Sequence, residues 1–183
     1  SCWYRDPGRC HIQDGMQSLY PLLRESDILV LATPVYIPLP GDMQNLINRL
    51  CPLAEPMLST DWGRTKARLR EGVRLRKAAL VATGAWWETE NLDILVRIVK
   101  ELCLKMGLQF TGAVLRPHAL MLDRDPPMAE MVYQDVLIAG EQLATTGQMS
   151  QKLLDRISAP LVEEGELREL FNEMNRKAAG QDG

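Results

Sequence analysis

The stretch DILVLATPVY, Asp27 to Tyr36, constrains the fold more than any other part of the chain. Ile28, Leu29, Val30, Leu31 and Ala32 form a continuous apolar run without polar alternation. Such a run reads as a strand buried on both faces, which the parallel sheet of an α/β protein requires. Thr33-Pro34 ends it, because proline has no backbone donor and pushes its predecessor out of the helical region. In open α/β sheets, ligands bind in the crevice outside the carboxyl ends of the strands. Thr33, Pro34, Val35 and Tyr36 are therefore expected at a ligand site. The alternative is an ordinary strand-to-helix loop with a packed tyrosine.

The chain has 183 residues, 46% of them hydrophobic, enough for one domain, residues 1–183, with a substantial core. A net charge of −3 gives no case for nucleic acid or an anionic membrane as partner. The four cysteines, Cys2, Cys10, Cys51 and Cys103, are too irregularly spaced for a disulfide framework. No apolar run is long enough to span a bilayer. The expectation is a cytoplasmic, reduced protein.

Asp14-Gly15-Met16-Gln17 has the form of a helix start, and Met16, Leu19, Tyr20 and Leu23 follow on one face, with a kink or restart expected at Pro21. Asp42 is expected to cap a helix carrying Met43, Leu46, Ile47 and Leu50, ended by Cys51-Pro52. Leu53 to Lys77 reads as a long connection without hydrophobic period, locally basic through Arg64, Lys66, Arg68, Arg70, Arg74, Arg76 and Lys77. It is either a solvated arm or a phosphate-attracting flap beside the ligand crevice. Trp62 alone does not supply the interleaved aromatics of a nucleic-acid surface.

Ala78 to Thr83 is a second buried strand, and Leu92 to Met106 the clearest amphipathic helix, capped by Gly107. Gln109 to Leu115 is a third strand, and Tyr133 to Ala144 a helix. Ser150 to Ile157 and Glu163 to Lys177 read as surface helices within a C-terminal portion, residues 150–183, that ends in a frayed tail. Alternating helices and strands imply a parallel sheet with helices on both faces.

Right-handed crossovers place the loops Thr33 to Gly41 and Thr83 to Asn91 on one sheet edge. A planar heterocycle fits between them, with amides on its carbonyls and an aromatic on its face. At least one of Trp86 and Trp87 is expected simply to close the core.

The string CWYRDPGRCHIQDGM, followed by DILVLATPVY and Asn48-Arg49, resembles the flavodoxin-fold NAD(P)H-dependent FMN reductase family, including its iron-sulfur flavoprotein relatives. Gly84-Ala85-Trp86-Trp87-Glu88 is similar to that family's third flavin loop, and Arg116-Pro117-His118 to the exit of its last strand. The resemblance implies a three-layer αβα, flavodoxin-like parallel sheet, with this chain covering about strands three to five. It implies FMN at the strand ends, held by Thr33, Pro34, Val35, Tyr36, Thr83, Gly84, Ala85, Trp86 and Trp87, and NAD(P)H as electron donor. The implied activity is flavin or quinone reduction, passing electrons to a small-molecule acceptor in a homodimer or homotetramer. A non-enzymatic electron carrier or FMN-binding module is the alternative.

The chain departs from the family at Ile37-Pro38-Leu39-Pro40, at Gln44 where a lysine is frequent, and at Asn48 where an aspartate is usual. Nothing corresponds to the family's first strand and phosphate loop, so the sequence is expected to be an N-terminal truncation missing at least one βαβ unit, roughly 30 residues or more. Cys2 and Cys10 give too few thiolates for an iron-sulfur cluster, with Cys51 and Cys103 expected in helices far along the chain. His11 reads as a surface residue, and His118 as a hydrogen-bonded structural histidine. Hydride chemistry resides in the flavin, so no catalytic acid or base is assigned and no metal is expected.

Overall fold

The computed structural model describes residues 2–3, 5–61 and 63–180, together with the backbone of Asp61 but not its side chain. Trp62 and the last three residues of the expected tail lie outside the described residues. Helix α1 (Met16–Glu25) leads into strand β1 (Ile28–Pro34), followed by α2 (Gly41–Asn48) and a 3-10 turn (Cys51–Leu53). Next come β2 (Ala54–Asp61), β3 (Arg64–Leu69), β4 (Lys77–Thr83), a second 3-10 turn (Thr89–Leu92) and α3 (Asp93–Met106). The chain continues through β5 (Gln109–Arg116), a third 3-10 turn (Ala119–Asp123), α4 (Pro126–Thr146), α5 (Gln151–Ser158) and α6 (Glu164–Ala178). Strands β1, β4 and β5 form a parallel sheet in that order, and β2 pairs antiparallel with β3. The α/β class and the three parallel strands follow the sequence reading. No helix among the described residues is long and apolar enough to cross a membrane.

β4 is the central strand, and its alternation sorts the core. Ala78, Leu80 and Ala82 join Met16, Tyr20, Leu31, Leu95, Val99 and Cys103 on the face covered by α1 and α3. Val81 points the other way, toward Val114, Val132, Ala139, Leu153, Leu154 and Ile157 of β5, α4 and α5. α5 is therefore no mere surface helix. Its Leu153, Leu154 and Ile157 seal the second face of the sheet.

β1 corrects the opening expectation. Its residues alternate in burial, with Leu31 and Thr33 buried but Val30 48% exposed and Ala32 and Pro34 also exposed. Among the described residues β1 pairs only with β4, and α4 and α5 pack around β4 and β5. A run of aliphatic residues cannot reveal whether both of its faces find a cover.

The long basic connection is a second correction, since β2 and β3 form a hairpin there. The turn signal was Gly63, whose φ of 71° suits a glycine. Ala54 and Ala67 line a cavity with Leu102, Lys105 and Met106 at the carboxyl end of α3, and Arg64 bridges Glu101 at 3.1 Å. α3 runs back to feed β5, so the hairpin lies at the amino end of the strands. It is no flap over the strand-end crevice.

Other elements shift at their ends. α1 runs through Pro21 as one helix, with Asp14 Oδ1 accepting the Met16 N–H at 3.0 Å. α2 stops at Asn48, before Cys51-Pro52, and Asp42 lies in its first turn while Pro40 is at the cap. α4 begins at Pro126 rather than Tyr133, because Asp125 caps the Met128 N–H at 3.0 Å and the prolines occupy the first turn. Gly107 caps α3 as expected, with φ 68°.

The register between β4 and β5 shifts between Ala78 and Leu80, opposite Phe110 and Ala113. Two residues, Thr111 and Gly112, thus face one on β4, and Gly112 has φ 132°. A Cβ on Gly112 would also meet Leu154 Cδ1 and Met149 Cε at 3.1 Å. Gly112→Ala should destabilise the fold by about 1–3 kcal/mol, read as a lowered urea midpoint with unchanged m-value.

Candidate functional site

Three strand exits align at one edge of the sheet. Pro34 pairs with Thr83 and Thr83 with Arg116, so the loops after β1, β4 and β5 start level. Backbone bonds continue past the strand ends. The Val35 amide donates to the Thr83 carbonyl at 2.8 Å, and Gly84 to Arg116 at 3.0 Å. Ala119 donates to Gly84 at 2.9 Å, and His118 to Trp86 at 2.8 Å.

In the first loop Thr33 is buried and its hydroxyl donates to the Pro34 carbonyl at 3.0 Å. The Tyr36 amide donates to the Pro38 carbonyl at 3.0 Å, across a cis Ile37–Pro38 bond. Tyr36 is 65% exposed and Ile37 fully exposed. In the second loop, a Cβ on Gly84 would lie 3.3 Å from Leu92 Cδ2 and 3.5 Å from Val35 Cγ1. The two loops interlock at that glycine. Among the described residues, the amides of Ala85, Trp86 and Trp87 have no backbone acceptor.

The tryptophans divide their roles. Trp87 is tied inward, its Nε1–H donating to the Val162 carbonyl at 2.9 Å. Trp86 is 60% exposed and stacks on Phe171 of α6, with ring centroids 5.8 Å apart and planes 29° apart. A cavity of about 290 Å³ is lined by Trp86, Trp87, Glu88, Arg168, Phe171 and Asn172 among others. α6 thus stands against the second loop, an arrangement that its surface-helix pattern did not disclose. The lining of that cavity includes neither Tyr36 nor Ala85.

A buried cation holds this end of the molecule together. Arg116 is 3% exposed, and its guanidinium donates to the carbonyls of Ile157 at 2.5 Å and Ala159 at 2.8 Å. Its Nε–H donates to the Pro117 carbonyl at 2.9 Å. Burial lowers the Arg116 pKa to about 10. His118, wholly buried with φ 38°, accepts the Leu161 N–H on Nε2 at 3.0 Å. That bond assigns the neutral tautomer with the proton on Nδ1, which turns toward the Trp87 carbonyl without closing a well-formed bond.

Desolvation, aided by the nearby Arg116 charge, lowers the His118 pKa to about 4. His118 is therefore no proton donor at neutral pH; it fixes the Trp86–Trp87 loop to the segment before α6. The structural role expected for His118 agrees with this placement. Arg116 was recognised only as a strand exit, and no local signal shows that its partners lie some 40 residues away. Among the described residues no group of three or more His, Cys, Asp or Glu side chains is arranged to hold a metal.

The His118 shift makes stability depend on pH. The unfolded histidine binds its proton near pH 6.5 and the folded one only near 4. The stabilisation is complete above pH 6.5 and is lost as pH falls toward 4, by up to about 1.4 kcal/mol per unit. His118→Asn, tolerable at positive φ, should flatten that part of the urea-midpoint profile relative to wild type. Equal profiles would contradict the assignment. No family model, curated protein or solved structure matches this chain.

Proposed function

We propose that the strand-end loops hold the ring of FMN, and that the chain works as an NAD(P)H-dependent oxidoreductase of the flavin or quinone reductase type. The observation that carries the reading is the pairing of two level loops on adjacent parallel strands. One presents the exposed Tyr36 ring, and the other presents the amides of Ala85 to Trp87. A flat, carbonyl-bearing heterocycle matches that combination, and open α/β sheets bind ligands at this edge. The flavodoxin-like assignment and a homo-oligomeric, cytoplasmic enzyme belong to the same proposal, carried by the sequence resemblance.

FMN, when bound, supplies the hydride chemistry between the nicotinamide and the acceptor. The chain's own residues position the ring. Tyr36 covers one face, and the amides after Gly84 donate to ring carbonyls. Trp87, Arg116 and His118 keep the second loop from relaxing, and α6 shields its outer side from water. Gly84 sets how closely the loops approach, because a larger side chain there would press on Leu92 and Val35.

Titrating FMN with the protein should quench flavin fluorescence. Tyr36→Ala and Gly84→Val should each weaken binding by about tenfold, or about 1.4 kcal/mol. Absence of quenching at roughly micromolar protein would count against the flavin reading as a whole. Anaerobic addition of NADPH or NADH should bleach the bound flavin, with quinone restoring its colour. Bound flavin that ignores both nucleotides would instead identify an electron carrier.

A further inference from the structure

The basic stretch that forms the β2–β3 hairpin and leads into β4 borders a second cavity, at the end of the sheet remote from the strand-end loops. It encloses about 450 Å³ and is lined by Ser59, Thr60, Lys66, Arg68 and Arg76, beside the carboxyl end of α3. No Asp or Glu stands among its described lining residues. The volume falls in the range of small-ligand clefts, roughly 300–1,000 Å³. Arg76 directly precedes β4, whose seven residues place its two ends roughly 20 Å apart.

The fold arranges these side chains. In the hairpin ladder Lys66 stands opposite Ser59, and Arg68, two residues on, falls on the same face of β3. Arg76 is fixed by the sheet, its amide donating to the Asp27 carbonyl at 3.0 Å and its carbonyl accepting from Gln109 at 2.9 Å. Its Nη1 donates to the carbonyls of Val73 and Leu75 at 2.8 and 2.7 Å. Among the described residues Nε and Nη2, which share one side of the planar guanidinium, have no acceptor. The exposed Arg68 has no ion-pair partner among the described residues. Ser59 Oγ is buried without a hydrogen-bond partner, so a χ1 rotation toward a ligand oxygen would break no bond.

Cations at the carboxyl end of a helix also complement its dipole. α3 has that complement already, because Lys105 lies in its last turn and the amides of Gly107 and Leu108 both donate to the Cys103 carbonyl. The three cations therefore call for an anion. We propose that this cavity binds the phosphoryl groups of a diphosphate or a nucleotide, at a site independent of the flavin reading. Arg76 offers Nε–H and Nη2–H to two oxygens of one phosphoryl group, the paired geometry that suits guanidinium. Arg68 and Lys66 balance the remaining charge, and the hydroxyls of Ser59 and Thr60 donate to further oxygens.

Calorimetric titration of the full chain with sodium pyrophosphate tests the site. Pyrophosphate and ADP should bind, compete with each other and weaken as sodium chloride is added. Pyrophosphate at least as tight as ADP identifies a free diphosphate, and tighter ADP a nucleotide; both support the site. Arg68→Ala and Arg76→Gln, checked for native circular dichroism, should each weaken pyrophosphate binding by about tenfold. Arg74→Ala lies in the same basic stretch but outside the lining, paired with Asp27, and should leave binding unchanged. The FMN titration of Arg68→Ala should match wild type, which keeps failure here distinct from failure of the flavin reading. Absence of binding at roughly millimolar pyrophosphate would overturn the proposal. Equal losses in Arg68→Ala and Arg74→Ala would do the same by marking a diffuse basic surface. So would an oligonucleotide that binds and that pyrophosphate fails to displace, which would point to nucleic acid instead.

Discussion

Two level parallel ladders on either side of β4 set the geometry of everything else in this molecule. Its inward residues are essentially inaccessible, with Ala78, Leu80 and Ala82 at 0% exposure. A central strand in that position has both edges bonded and both faces covered, so its ends are fixed in three dimensions. The ladder hydrogen bonds then run past the strand ends through Val35–Thr83, Gly84–Arg116 and Ala119–Gly84. The loops are continuations of the sheet rather than free connections, which is why their side chains can be presented in a defined arrangement.

Arg116 extends that order into the C-terminal third of the chain. A buried guanidinium is costly unless its donors are occupied, and here they meet carbonyls at the end of α5 and just beyond. His118 completes the link by taking the Leu161 amide while its own amide bonds Trp86. Through these two side chains the β5 exit governs both the Trp86–Trp87 loop and the approach to α6. The stacking of Trp86 on Phe171 follows from that placement.

The strands at residues 77–83 and 109–116 were legible because short aliphatic runs bounded by turn residues leave little else for the backbone to do. α3 was legible from its apolar period and glycine cap. The hairpin was hidden because β3, RTKARL, carries charge on alternate residues and resembles a solvated arm until its partner is known. The proline-rich start of α4 was hidden because Pro126 and Pro127 lack backbone donors, a lack that costs nothing in a first turn capped by Asp125. Of the candidate site, the two loops and their shared edge were visible in the sequence. The inward turn of Trp87, the stacking of Trp86 and the burial of Thr33 depended on neighbours remote in the chain.

The sequence by itself determined the α/β class, the three parallel strands and the residues at their exits, since local hydrophobic runs and proline stops act on adjacent residues. Only the tertiary structure decided which faces are covered and which polar groups meet. DILVLATPVY has the same aliphatic character on both sides, yet Leu31 is buried and Val30 is half exposed, because helices pack against only one side of β1. Arg49 finds Cys10 and Arg116 finds Ala159 for a related reason. Hydrogen bonds act over a few ångströms of space, and the distance along the chain does not enter.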